Sequence, residues 1–323
     1  VTQTKSHRMI VSILDDGYEH YEVERAILAP LGAEVVLRPC RGDASRVAEA
    51  LHDATAAIVR ESPITAEAIA GAPLLRAIVR SGVGVDNIAL QAAAARGIPV
   101  CNTPDYGTEE VSDHALALLM ALWRRLPQSS ARLAQGAWGV PRSLPQWRIR
   151  GRTLGLIGLG RIGTAFLRKV RPLGFGRILI ADPGLREAPE GCELADTEAI
   201  AREADAISLH APALPTTRHI VNAAFLAAMK PTAILINTSR GGLIDEQALV
   251  DAIRAGRIAG AGLDVYEVEP LPEGSPLRGL PNVILTDHAA WYSEDSIGDL
   301  QSMSALEVAR VLRGEAPLNQ VNR

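Results

Sequence analysis

The most constraining stretch of the chain is Leu154-Gly155-Leu156-Ile157-Gly158-Leu159-Gly160-Arg161-Ile162-Gly163. A short apolar run leads into glycines spaced G-x-G-x-x-G, and a helical pattern follows. Each glycine answers a steric demand. Gly158 makes a tight turn, Gly160 lets a pyrophosphate approach the backbone, and Gly163 lets the helix pack closely on the strand. The helix N-terminus then offers free N–H groups and partial positive charge to phosphates. In a chain with 28 glycines the motif alone is weak. A second apolar run ending at Asp182, about 20 residues on, strengthens it, because an acidic side chain there hydrogen-bonds the adenosine ribose hydroxyls. That carboxylate also repels a 2′-phosphate, so the pattern predicts NAD rather than NADP.

Around this motif short apolar runs alternate with helical patterns, as in α/β units around parallel sheets. Strand candidates in the first third are residues 9–14, 34–38, 56–60, 75–79 and 99–101. A long helical pattern at 109–126 ends at Pro127, and an irregular Gly/Pro/Trp-rich stretch covers 136–151. A second strand series follows at 154–157, 178–181, 206–209, 233–237, 261–264 and 283–285, and a last helix spans about 295–313. The expected fold is two doubly wound parallel-sheet domains. A flavodoxin-like substrate domain takes residues 1–103 plus 300–323, and a Rossmann NAD-binding domain takes 104–299.

The bulk properties exclude several classes. At 323 residues there is room for two cores, and a net charge of −4 gives no basic field for nucleic acid. No apolar stretch approaches the roughly 20 residues of a membrane span. The first eight residues lack the apolar core of a signal peptide. Cys40, Cys101 and Cys192 are too scattered for a disulfide framework or a zinc site, so no metal is expected and the cytoplasm is the expected location.

Candidate chemistry sits at the carboxyl ends of the later strands, where open α/β sheets bind ligands. Thr238-Ser239-Arg240-Gly241-Gly242 follows one strand, and an arginine there can grip a carboxylate through two parallel hydrogen bonds. The next strand ends in Asp264-Val265-Tyr266-Glu267-Val268-Glu269-Pro270, and the one after in Thr286-Asp287-His288-Ala289-Ala290-Trp291. His288 suits proton transfer near neutral pH but needs a carboxylate to fix its tautomer. Glu269 and Asp264 both qualify.

Five ordered motifs carry a resemblance over nearly the whole chain. They are Arg80-Ser81-Gly82-Val83-Gly84-Val85-Asp86-Asn87-Ile88, the Gly158–Gly163 motif, Asn237-Thr238-Ser239-Arg240-Gly241-Gly242, the 264–270 segment and His288-Ala289-Ala290-Trp291. Their order and spacing resemble the D-isomer-specific 2-hydroxyacid dehydrogenases. Within that family, the words at 79–87 and 288–294 are most similar to the C-terminal-binding proteins, whose animal members act as NAD-sensing corepressors. The chain also resembles the catalytic cores of phosphoglycerate dehydrogenases, without length for their regulatory domains.

The resemblance implies a role for each matching residue. His288 is the acid/base, Glu269 orients it, and Arg240 binds the substrate carboxylate and polarises the 2-oxo group. Arg80, Ser81, Gly82, Val83 and Gly84 bind the same carboxylate, largely through backbone N–H groups, and Trp291 walls the pocket. Gly158, Gly160, Arg161, Ile162, Gly163, Asp182, His210, Thr217, Thr238, Ser239 and Asp264 fall at cofactor positions. Closure of one domain on the other would exclude water. Leu214 replaces a threonine common in the family, and Val111 stands where the C-terminal-binding proteins carry a phosphate-contacting threonine. A homodimer built through the nucleotide-binding domain is also implied, with the 109–126 helix contributing. The expected activity is NAD-dependent interconversion of a small or medium 2-oxo acid and its 2-hydroxy acid. The alternatives are an NAD-sensing regulatory protein and a family member that oxidises a non-carbon substrate such as phosphite.

Overall fold

The computed structural model describes residues 8–143 and 145–322, so the segment before Arg8, read above for a signal peptide, lies outside the described residues. The chain divides into two compact units, Val1–Gly107 with Tyr292–Arg323, and Thr108–Trp291.

The first unit is built on five parallel strands: β1 (Met9–Ile13), β2 (Ala33–Leu37), β3 (Ala56–Val59), β4 (Ala77–Arg80) and β5 (Val100–Cys101). Their order is β2-β1-β3-β4-β5, the flavodoxin-like winding. The apolar runs of β3 and β4 are buried on both faces because helices cover both. Val59, Ile78 and Val100 face one apolar layer with Val47, Leu51 and Ile69. Ile58, Val79 and Cys101 face another, which includes Leu28 and, from the last helix, Ala305, Val308 and Ala309. That helix, Glu294–Leu312, starts at Ser293, whose side chain and that of Ser296 cap each other's backbone N–H.

Seven parallel strands form the second unit: β6 (Thr153–Ile157), β7 (Arg177–Ala181), β8 (Glu193–Leu194), β9 (Ala206–Leu209), β10 (Ile234–Asn237), β11 (Gly260–Leu263) and β12 (Val283–Leu285). The order β12-β11-β10-β9-β6-β7-β8 reverses direction between β6 and β9, which places a ligand crevice at their carboxyl ends. Edge strand β8 was not expected: its two residues are exposed and carry no apolar run. Gly155 in β6 is required by packing, since a Cβ there would meet Ile200 Cγ2 at 2.5 Å.

The long helix differs from its expectation. One helix, Thr108–Trp123, ends before Arg125, which adopts φ 51°, and a second spans Leu126–Ala134. Pro127 therefore opens the second helix, where its missing N–H costs nothing, rather than closing the first. No described helix is long and apolar enough to cross a membrane. Among the described residues no group of three or more His, Cys, Asp or Glu side chains could hold a metal ion.

Phe166, fully buried on the helix Arg161–Val170, anchors the layer between that helix and β6. Phe166→Ala is expected to cost about 3–5 kcal/mol. Urea denaturation followed by fluorescence checks this, and a loss below about 1 kcal/mol would contradict the packing.

Candidate active site

At the carboxyl end of β6 the chain turns through Gly158, at φ 90°. A Cβ on Gly158 would lie 2.6 Å from the His210 carbonyl carbon, and one on Gly163 would lie 2.7 Å from the Gly158 oxygen. Both glycines thus permit backbone contacts that a side chain would block. At Gly160, which caps the helix Arg161–Val170, a Cβ would meet nothing within 4 Å. The turn thus lies open in front of the helix N-terminus, with Arg161 and Ile162 in the first turn. Asp182, just beyond β7, accepts N–H bonds from Leu159 (2.6 Å) and Gly184 (2.8 Å). Its carboxylate is thereby fixed beside the glycine turn.

Two buried polar atoms on neighbouring strand ends have no hydrogen-bond partner among the described residues: His210 Nδ1 and Thr238 Oγ1. Burial also pushes the His210 imidazole down to about 3, so the ring is neutral. Its Nε2 pairs with Ser208 Oγ at 3.0 Å. An open glycine turn at a helix N-terminus, a fixed carboxylate and orphaned polar atoms along the strand ends together fit a dinucleotide. Two other expected cofactor residues also bond within the protein. Thr217 Oγ1 closes the 212–217 turn through the Pro212 carbonyl (2.7 Å), and Ser239 Oγ donates to the Leu209 carbonyl (2.7 Å). Val111 is buried on the helix Thr108–Trp123.

The catalytic candidates lie on the next strand ends. Asn237, fully buried, shapes the turn after β10: its Oδ1 accepts the Ser239 N–H (3.0 Å) and its Nδ2 donates to the Arg240 carbonyl (2.9 Å). A Cβ on Gly241 would fall 1.8 Å from the Tyr266 carbonyl carbon, so the Arg240 turn lies directly on the 266–267 backbone. On that same segment Glu269 accepts the Tyr266 N–H through Oε1 (2.9 Å), and its Oε2 meets His288 Nδ1 at 2.7 Å. The structure thereby brings Arg240, Glu269 and His288 into one neighbourhood. With Nδ1 committed to Glu269, Nε2 is the ring nitrogen left to exchange a proton.

Asp264 plays a different part. Buried at 1% exposure, it accepts the Thr286 hydroxyl (2.6 Å) and the N–H groups of Ala289 (2.9 Å) and Ala290 (3.0 Å). Its carbonyl takes the His288 N–H at 2.8 Å. Asp264 therefore holds the loop that presents His288, and Glu269 alone of the two carboxylates pairs with the ring. His114 Nε2 adds a bond to Thr286 Oγ1 at 3.0 Å. Sequence reasoning did not assign Asn237, His114 or Thr286 a role. The signal for Asn237 was an amide closing an apolar run four residues before Gly241. The other two are far apart in sequence and left none.

Burial pushes the Glu269 carboxyl up, but the His288 ring, the Tyr266 N–H and Arg240 outweigh it and hold the group below the usual carboxylate range. A depressed carboxyl stabilises the fold above the unfolded carboxylate range and loses that contribution as pH falls through the depressed value. The pair therefore keeps its negative partner across neutral pH.

In the first unit, β4 runs into the 80–84 loop. The Ser81 N–H is spent on the Val59 carbonyl (2.8 Å) and the Gly82 N–H on Thr103 Oγ1 (2.6 Å). Of the expected donors in this loop, the Val83 and Gly84 amides remain. Arg80 folds over Gly82, where a Cβ would meet its guanidinium, and its Nε donates to the Arg60 carbonyl (3.1 Å). Trp291, half-buried, ends the second unit three residues after His288.

A doubly wound dinucleotide fold whose strand ends carry an arginine and a Glu–His pair defines an oxidoreductase class. Comparison narrows it. A family profile described as "D-isomer specific 2-hydroxyacid dehydrogenase, NAD binding domain" matches residues 116–290. The chain is 44% identical over 268 residues to a glyoxylate reductase of Korarchaeum cryptofilum, covering 81% of this chain and 80% of that one. A D-3-phosphoglycerate dehydrogenase of Methanocaldococcus jannaschii is 40% identical over 279 residues, 85% of this chain, which spans about half (53%) of that longer protein. A crystal structure of an NADPH-dependent glyoxylate/hydroxypyruvate reductase from Sinorhizobium meliloti superposes with a TM-score of 0.85 at 34% identity, over 97% of each chain. The chain belongs to the D-isomer specific 2-hydroxyacid dehydrogenase family and is an oxidoreductase. The finer likeness to the C-terminal-binding proteins rests on the short sequence words alone.

Glu269→Gln keeps the shape of the side chain and removes the carboxylate that pairs with His288 Nδ1. The kcat for 2-oxo acid reduction is expected to fall about a hundredfold. A kcat equal to that of the unaltered protein would refute the pairing's role.

Proposed function

We propose that this chain reversibly reduces a small or medium 2-oxo acid to the D-2-hydroxy acid, with NAD(H) as the preferred cofactor. The observation that carries this reading is the 2.7 Å Glu269–His288 contact, which leaves Nε2 for proton transfer, with Arg240 near enough to help hold the Glu269 carboxyl down. When bound, the nicotinamide supplies the hydride that adds to C2 of the substrate. His288 delivers the proton to the C2 oxygen and takes it back in the oxidative direction, while Glu269 stabilises the charged ring. Arg240 grips the carboxylate and stabilises negative charge growing on that oxygen. The Val83 and Gly84 amides are suited to a carboxylate oxygen, and Trp291 limits the side chain.

The test is NADH oxidation against a panel of 2-oxo acids, beginning with glyoxylate, with His288→Ala as the control. Turnover that this substitution lowers by at least about a hundredfold supports the proposal. Tight NADH binding without turnover across the panel replaces it with a cofactor-sensing role or a non-carbon substrate.

The preference for NADH rests on Asp182. Held by the Leu159 and Gly184 amides, its carboxylate can accept ribose hydroxyls but repels a 2′-phosphate. Asp182→Ala is expected to narrow the NADH-over-NADPH ratio of kcat/KM by about tenfold or more, roughly the 1.4 kcal/mol of one repulsive contact. An unchanged ratio assigns the preference elsewhere.

A homodimer completes the proposal. Leu126 and Leu133 are more than half exposed on one helix, and Trp138 and Val140 beyond it are 89% and 85% exposed. Such large apolar side chains clustered along one short segment fit burial against a second copy of the second unit. Light scattering after gel filtration is expected to give twice the chain mass, and Trp138→Glu to shift it towards one. The buried or half-buried free thiols of Cys40, Cys101 and Cys192 accord with a cytoplasmic location.

A further inference from the structure

The loop that carries the Val83 and Gly84 amides is gripped from behind by residues no catalytic role requires. Thr103, fully buried beyond β5, binds Gly82 twice: its Oγ1 accepts the Gly82 N–H (2.6 Å) and its own N–H donates to the Gly82 carbonyl (3.0 Å). Asn102 Nδ2 donates to the Val83 carbonyl at 2.6 Å. Ser81 Oγ pairs with Ser304 Oγ at 2.9 Å on the last helix. Gly82 needs this support, since its φ of 140° lies in a region that favours glycine and that no regular element stabilises.

These contacts set direction as well as place. A trans peptide is planar, and its C=O and N–H point opposite ways. Gly82 C=O shares a plane with Val83 N–H, and Val83 C=O with Gly84 N–H. By drawing both carbonyls towards residues 102–103, Thr103 and Asn102 turn both amides towards the opposite side. The grip is itself anchored. Asn102 N–H donates to the Asn319 carbonyl (3.2 Å), and Val321 N–H to the Val100 carbonyl (2.9 Å). Asn322 bonds Val100 N (2.8 Å) and Ile98 O (2.8 Å). Glu307, at 3% exposure, accepts the Leu318 N–H (3.2 Å), the Asn319 N–H (3.2 Å) and the Asn319 side-chain amide (3.0 Å). The 318–322 segment thereby lies along edge strand β5 and backs the residues that hold the loop.

We propose that Thr103 and Asn102, braced by the 318–322 segment, are positioning residues that aim the Val83 and Gly84 amides at the substrate carboxylate. This rests on the carboxylate reading of the 80–84 loop made above. Thr103 is fully buried and touches no substrate, so its effect runs only through the loop. A misaimed pair of amides weakens binding of any 2-oxo acid alike. It leaves NADH binding, carried by the second unit, unaltered.

The experiment uses the full chain with NADH, the best 2-oxo acid of the panel, and oxamate as a non-reacting carboxylate analogue. Thr103→Val and Asn102→Ala are each expected to raise KM and the oxamate Ki together by about tenfold, the first by leaving the buried Gly82 N–H unpaired and the second by releasing the Val83 carbonyl. The expected change in kcat is smaller, the NADH Kd is unaltered, and Thr103→Ser restores the original KM. Should Thr103→Val fail to fold, Asn102→Ala carries the same test. Unchanged KM in these variants, a Thr103→Ser protein as impaired as Thr103→Val, or a parallel loss of NADH affinity overturns the proposal. Gly82→Ala separates the two readings. If it raises KM while Thr103→Val and Asn102→Ala do not, only the positioning role falls. If it leaves KM unchanged, the carboxylate reading falls and the positioning role with it.

Discussion

The buried carboxylate of Asp264 is the contact on which the candidate catalytic centre depends. A carboxylate at 1% exposure is tolerable only with its oxygens hydrogen-bonded, and here the Thr286 hydroxyl and the Ala289 and Ala290 amides do so. Those donors all belong to the loop after β12, so the requirement to satisfy one charge ties that loop to the end of β11. The His288 N–H, bonded to the Asp264 carbonyl, adds a further tie, and His288 takes a left-handed φ of 56° that the loop must enforce. Glu269 leaves the same strand end five residues later and meets the ring. Removing one of these donors leaves a buried carboxylate oxygen short of a hydrogen bond, at a cost of roughly 1–3 kcal/mol.

Carboxylates that gather backbone amides recur through the chain. Asp205 accepts the Thr153 N–H at the start of β6 and meets Lys230, tying together the amino ends of the central strands β6 and β9. Asp15 Oδ2 accepts the N–H groups of Arg60, Glu61 and Ser62, locking the turn after β3. Glu307 does the same for residues 318 and 319. In each case an ionised acceptor forms stronger hydrogen bonds than a neutral one and takes several donors at once. Irregular segments at strand ends are thereby tied to neighbouring parts of the chain. Both the glycine turn and the Glu269–His288 pair lie on such segments.

Much of this was legible in the sequence because its cause is local. The strand runs, the G-x-G-x-x-G turn and the carboxylate at Asp182 follow from side-chain size, backbone freedom and charge at fixed spacing. The two-residue β8 was not legible, since an exposed Glu-Leu pair carries no apolar signal. Pro127 misled because a proline suits the first turn of a helix as well as the residue after one, and the left-handed Arg125 that breaks the chain gives no compositional sign. By residue type and place alone, Glu269 and Asp264 stood as equal candidates to orient His288, and it was the family resemblance that implied Glu269. Both are carboxylates at one strand's end, and only their directions in space separate them.

The sequence by itself determined the architecture, the dinucleotide turn and the types of residue available for chemistry, because periodicity and steric need act between near neighbours. Tertiary structure decided which carboxylate meets the histidine and which amides of the 80–84 loop stay available. It also decided that Thr103, Asn102 and a segment more than two hundred residues away hold that loop. Those outcomes depend on hydrogen-bond partners brought together only when distant segments pack, and no spacing along the chain encodes the direction in which a bonded peptide plane turns its amide.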